Sequence, residues 1–115
     1  TVLDSVMPAH VIYPKVDSRP AGFSKRWLQD ILRQQLGFGG LILTDDMQMG
    51  AIAAHYGLQD AVERAVLAGP DMLCFGNNLQ FDPAIAEKVV DILVRAVEQG
   101  RIPIERIDEA IAAAA

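Results

Sequence analysis

LILTDDMQMG, residues 41–50, passes from an apolar β-forming run into two adjacent carboxylates and then into a Met-rich segment able to open a helix. An apolar run that is continuous rather than alternating suits a strand covered on both faces, as in a parallel sheet. In parallel α/β architectures the reactive groups collect at the carboxyl ends of the strands, which is where Asp45 and Asp46 stand. Successive side chains on extended backbone point to opposite sides, so the two carboxylates are not expected to share one task. Asp is also a preferred N-cap, and each of the pair reads equally well as the cap of a helix opening near Met47.

Two further runs repeat this layout: SVMPAHV, residues 5–11, and DMLCFGNN, residues 71–78. Each reaches a polar or glycine-containing end and is followed by a helical pattern. FSKRWLQDILRQQLGF predicts a helix with Ser24 as N-cap, Trp27, Ile31 and Leu36 on an apolar stripe, and Gly37 as the stop. QMGAIAAHYG predicts a short helix ended by Gly57, and LQDAVERAVLAGP a second one stopped by Gly69 and Pro70. DPAIAEKVVDILVRAVEQG predicts a helix with Asp82 as N-cap, Pro83 in its first turn and Gly100 at its end. The terminal PIERIDEAIAAAA predicts one more, its alanine run frayed.

His10, Asp45 and Gly76 fall at successive strand ends, 35 and 31 residues apart. A (β/α)₈ barrel of about 250 residues divides into units of about this length. Residues 1–115 are therefore expected to be the carboxy-terminal three βα units of such a barrel, a portion with unpaired strand edges.

Composition narrows the function. Ten Lys and Arg against fifteen Asp and Glu give a net charge of −5, with no basic cluster to meet nucleic acid. No apolar run reaches the roughly 18 residues of a membrane span, and TVLDSVMPAH lacks the regions of a signal peptide. The chain begins without Met, so a start further upstream is expected. Cys74 is alone, forms no internal disulfide and reads as a small buried strand residue. The two histidines, His10 and His55, have no carboxylate or Cys at ligand spacing, so no metal site and no cofactor is expected. A response-regulator receiver also ends a strand in paired acids, but it needs a further Asp and a Lys at later strand ends, and DMLCFGNN supplies neither.

SVMPAHVIYPKVD, PAGFSKRWLQDILRQQLGFGGLILTDDMQMGAI and AVLAGPDMLCFGNN together resemble glycoside hydrolase family 3 over nearly the whole chain. LRQQLGFGGLILTDDM is the most specific part. The resemblance is to the β-N-acetylhexosaminidases that trim N-acetylglucosamine from peptidoglycan fragments; the β-glucosidase branch usually has Trp in place of the second acid. It implies that Asp45 is the nucleophile of a retaining glycosidase, at the end of the seventh barrel strand. A carboxylate there attacks the anomeric carbon and forms a glycosyl-enzyme that water hydrolyses. It places His10 near the sugar pocket, against the alternative of a structural histidine bonded to a neighbouring loop. Asp46 is a candidate for sugar contact or, as an Asx-turn acceptor of backbone N–H groups, for holding the loop. Met47 and Met49 border the pocket or fill core. Asn77 and Asn78 are offered as sugar hydrogen-bond donors or as turn residues.

The resemblance also implies a general acid, a His assisted by Asp on a loop after the fifth strand, in a region before Thr1. The 115-residue chain alone is thus expected to lack activity. Its partners are expected to be an N-acetylglucosamine-containing saccharide or muropeptide and either the remaining barrel half or a second copy. Cytoplasmic location is implied as well. The rivals are a non-catalytic sugar-binding or assembly module and a family 3 β-glucosidase.

Overall fold

A computed structural model describes residues 3–77 and 81–115. Strands β1 (Ser5–Val6) and β2 (Leu41–Ile42) pair in parallel, Ser5 opposite Leu41 and Val6 opposite Ile42. The third apolar run lies on the other side of β2, joined through a parallel bridge between Leu43 and Met72. The three runs are therefore parallel neighbours, and helices intervene between them.

The ladders are shorter than the apolar runs, for two reasons. Pro8 has no N–H to donate, and β1 ends two residues before it. On the far side, Thr44 N–H donates to the Met72 carbonyl at 3.0 Å, but the Cys74 amide donates to Thr44 Oγ1 at 2.8 Å instead of to a main-chain carbonyl. Beyond Met72, a side chain replaces a rung. Gly40 is required by the approach of β1: a Cβ there would lie 2.4 Å from the Asp4 carbonyl oxygen, the atom that accepts the Leu41 amide at 3.0 Å.

Between β1 and β2 the chain makes a 3-10 turn (Ala21–Phe23) and a π-helix (Arg26–Gln35). Ser24 caps the latter, its Oγ accepting the Trp27 amide at 3.1 Å, and Gly37 follows it at φ +69°. The winding widens along the helix: Leu28 N–H reaches the Ser24 carbonyl, whereas Leu36 N–H reaches Ile31, five residues back. Ser24 Oγ also donates to Asp17 at 2.6 Å, which with the Arg19 amide holds the Asp17 carboxyl below its ordinary range.

Four α-helices follow: α1 (Gly50–Ala53), α2 (Leu58–Ala68), α3 (Ile85–Glu98) and α4 (Ile104–Ala114). Gly69 at φ +136° and Gly100 at φ +76° stop α2 and α3 as expected. Four expectations are corrected. Leu36 lies past the end of the π-helix and is exposed, so it is not part of the apolar stripe. Gly57 does not end α1; at φ −68° it precedes α2, its carbonyl accepting the Ala61 amide. Asp82 caps a turn ahead of α3, taking the Ala84 amide at 2.9 Å while Lys88 pairs with its other oxygen. Those two donors, Lys88 foremost, keep its carboxyl below the usual range. The terminal alanine run is helical through Ala114, in keeping with alanine's helix propensity.

The helices cover one face of the sheet. Ile42, fully buried, packs against Leu28, Phe38 and Ala68, while Val66, Ala96 and Ile102 join α2 to α3 and α4. The opposite face is open, with Met7 and Met72 about half exposed. Cys74 is exposed too, not buried as its apolar neighbours suggested, because it belongs to that uncovered face.

At the start of the third run, Asp71 gathers charge below the sheet. Its side chain, 3% exposed, accepts the Ile42 amide at 3.0 Å, Arg33 at 2.8 Å and Arg106 at 3.3 Å. Arg33 also donates to the Phe38 and Gly40 carbonyls, and Arg106 to those of Val66, Gly69 and Pro70 at 2.6 to 2.8 Å. One carboxylate thereby ties the π-helix, β2 and α4 to the end of α2. Among the described residues no helix is long and apolar enough to cross a membrane.

Candidate active site

Thr44, fully buried, follows β2 and the Leu43 bridge, and Asp45 and Asp46 come next at the strand's exit, both half-buried. Neither caps a helix at Met47: residues 47 and 48 form a turn, and α1 begins only at Gly50. The two carboxylates have separate tasks. Asp45 Oδ1 accepts the amide of its neighbour Asp46 at 2.8 Å, and among the described residues no hydrogen bond engages its Oδ2. Asp46 Oδ1 accepts two amides at 2.9 Å, those of Gln48 and of Gly76 on the third strand's exit. The first of these is an Asx-turn and the second joins two strand ends.

Gln48 continues this seam, its Oε1 accepting the Asn77 amide at 2.5 Å, and the Met47 amide donates to the Cys74 carbonyl at 2.8 Å. Asn77, at φ +56°, spends both ends of its side chain on Asp82, donating to its carbonyl and accepting its amide. Asn78 lies outside the described residues.

From the first strand's exit, His10 reaches across to Asp45. The ring is 7% exposed and its Nε2 lies 3.1 Å from the Asp45 carbonyl oxygen. A carbonyl only accepts, so Nε2 carries the proton. Met47, 3% exposed, is core, packed with Phe23, Ile52, Ala61 and Ala65, while Met49 is surface. Of the residues expected near sugar, His10, Asp46 and Met47 are thus each engaged within the protein, and Asp45 has an oxygen to spare.

Sequence reading did not single out Thr44 or Gln48, although both build this site. Thr44 and Gln48 act through contacts 30 and 29 residues away, for which a single sequence offers no local sign.

The seam gives a direct expectation. Asp46→Ala leaves two amides without their acceptor and is expected to cost about 2–3 kcal/mol, whereas Asp46→Asn retains an Oδ1 acceptor and costs about 1 kcal/mol or less. Urea denaturation of the two variants separates them; equal losses would mean that the charge, not the acceptor, holds the loop.

Residues 1–114 match the family model described as the glycosyl hydrolase family 3 N terminal domain. The chain belongs to glycosyl hydrolase family 3. A family 3 relative from Bordetella parapertussis, a beta-hexosaminidase, is 42% identical over 106 residues, covering 92% of this chain and 28% of its own. A beta-hexosaminidase from Hydrogenovibrio crunogenus is 50% identical over 88 residues, covering 76% of this chain and 24% of its own. The chain therefore spans about a quarter of the length of such relatives. The crystal structure of the beta-N-acetylglucosaminidase from Thermotoga maritima superposes with a TM-score of 0.86 at 30% identity, covering 95% of this chain and 23% of that one. The parallel strand–helix units are accordingly part of a family 3 (β/α)₈ barrel, on the beta-hexosaminidase branch.

Proposed function

We propose that this chain carries the nucleophile, Asp45, of a retaining β-N-acetylhexosaminidase that removes terminal β-linked N-acetylglucosamine. The supporting observation is the difference between the two adjacent acids. Asp46 is committed to two loop amides, while Asp45 stands at the strand's carboxyl end with its backbone held by His10 and one carboxylate oxygen unengaged among the described residues. A nucleophile needs that combination of fixed backbone and available oxygen. Asp45 attacks the anomeric carbon as the leaving group departs, and water then displaces the carboxylate from the glycosyl-enzyme.

The mechanism also needs an acid about 5–5.5 Å from the nucleophile to protonate the leaving oxygen. The polar groups beside Asp45 here are already spent on the fold, so the acid comes from another part of a longer parent. The 115-residue chain alone is inactive on this reading. Its open sheet face and strand edges are covered by the rest of the barrel or by a second copy. The substrate class is a peptidoglycan-derived saccharide or muropeptide in the cytoplasm, a compartment that suits a lone exposed thiol.

The test is to incubate the full-length parent with a 2-acetamido-2-deoxy-5-fluoro glycosyl fluoride and map the adduct by mass spectrometry. A label on the peptide containing Asp45 is expected. An active parent labelled elsewhere, or not labelled at all, would overturn the assignment. In parallel, purified residues 1–115 are expected to release no aryl alcohol from an aryl N-acetyl-β-glucosaminide.

A further inference from the structure

The side of His10 that faces away from Asp45 is as constrained as the side that faces it. Its Nδ1 is buried and has no hydrogen-bond partner among the described residues. The reason is steric: Gly22 closes against the ring, and a Cβ there would lie 2.9 Å from Nδ1 and 3.0 Å from Cε1. Phe23, the next residue, tilts against the same ring at 5.9 Å between centroids and is itself wedged edge-on against Tyr56 at 5.1 Å. The imidazole is thus clamped between the 3-10 turn and the peptide of Asp45. A buried ring nitrogen left without a partner is unfavourable, and the fold accepts that in order to present the other nitrogen to one carbonyl.

That carbonyl belongs to the residue proposed as nucleophile. With Oδ1 of Asp45 on the following amide and its carbonyl oxygen on His10, the peptide plane that follows Asp45 is pinned at both its carbonyl and its amide. We propose that His10 is a positioning residue, seated by Gly22, that fixes the backbone of Asp45 and so aims its carboxylate; it does not contact sugar. The inference rests on the reading of Asp45 as nucleophile. Positioning of this kind acts on the step in which Asp45 moves onto carbon, and so on kcat, while substrate affinity is set elsewhere.

The experiment uses the full-length parent with an aryl N-acetyl-β-glucosaminide. His10→Phe, which keeps a ring and removes the donor, is expected to lower kcat about 10- to 100-fold with KM changed less than about twofold. His10→Gln, whose terminal amide nitrogen sits close to where Nε2 lies, is expected to restore kcat to within about threefold of the wild type. Gly22→Ala retains His10 but displaces its ring, and is expected to match His10→Phe. Where His10→Phe does not fold by circular dichroism, His10→Asn, too short to reach the carbonyl, replaces it. A rise in KM with kcat unchanged would make His10 a sugar contact and overturn the proposal, as would equal losses in the Phe and Gln variants. Asp45→Ala separates the two readings. If it stays active, the nucleophile assignment falls and takes the positioning role with it. If it is dead while His10→Phe is unimpaired, the nucleophile stands and the positioning role alone is lost.

Discussion

Asp45→Asn in the full-length parent is expected to lower kcat about 10⁴- to 10⁶-fold, as loss of the attacking group does in other covalent mechanisms. That is about 5–8 kcal/mol of barrier, at 1.36 kcal/mol for each factor of ten. The choice of Asn is what makes the result informative. An amide keeps an oxygen where Oδ1 accepts the Asp46 N–H, so the loop is preserved. What it loses is the negative charge and the nucleophilic lone pair. If Asp45 served only to shape the loop, Asn would behave nearly as the wild type; as nucleophile, it cannot form the ester to the sugar. KM is expected to change little, because the missing interaction exists only once the bond begins to form. Azide supplied to Asp45→Ala occupies the vacated side and attacks the anomeric carbon directly, so recovered activity with a glycosyl azide of inverted configuration is the companion result. An Asn variant within tenfold of wild type would return Asp45 to a loop role.

The largest effect on stability is expected at Asp71. Its carboxylate is almost wholly buried between Arg33 and Arg106, whose side chains are 23% and 12% exposed. Asp71→Ala leaves two guanidinium groups without their counter-charge and the Ile42 amide without an acceptor, a loss of about 3–5 kcal/mol for breaking a buried pair from one side. Against a total of about 5–15 kcal/mol, that is enough to populate unfolded chain at growth temperature. Arg106→Ala should cost less, since Arg33 still neutralises Asp71, yet it strips a donor from three carbonyls at the end of α2. Equilibrium denaturation of both single variants and the double variant gives the coupling directly. A loss below about 1 kcal/mol for Asp71→Ala would mean that the cluster is screened like a surface pair.

The sequence disclosed different parts of this molecule to different degrees, and the reason lies in the range of the forces involved. Gly37, Gly69 and Gly100 could be read as helix stops because positive φ is a local demand that glycine meets at little steric strain. The parallel order of the three runs could be read from their continuous apolar character. Gly57 misled because its φ is one that any residue adopts. The terminal alanines carry no cap or stop signal, and their helix propensity alone keeps them helical through Ala114. The π winding of Arg26–Gln35 leaves no trace, since Leu28 and Leu32 face the sheet under either turn. Asp71 was read only as the lead-in to a strand; its partners stand 38 and 35 residues away, and nothing in "GPDML" announces them. The paired acids drew attention from the outset, but their division of labour came from Gly76, Gln48 and His10, which distance hides in a linear reading.

The seam between the second and third strands has an evolutionary corollary. Beyond Met72, the third strand is held to its neighbour by Thr44, Asp46 and Gln48, groups that single base changes can alter, with one main-chain rung from the Met47 amide to the Cys74 carbonyl that only a change to proline would remove. A lineage can therefore shift the third strand's exit relative to the one bearing Asp45 by point substitution, leaving the rest of the sheet undisturbed. The gap between those two exits becomes a heritable variable, a place where a barrel of fixed architecture can be retuned.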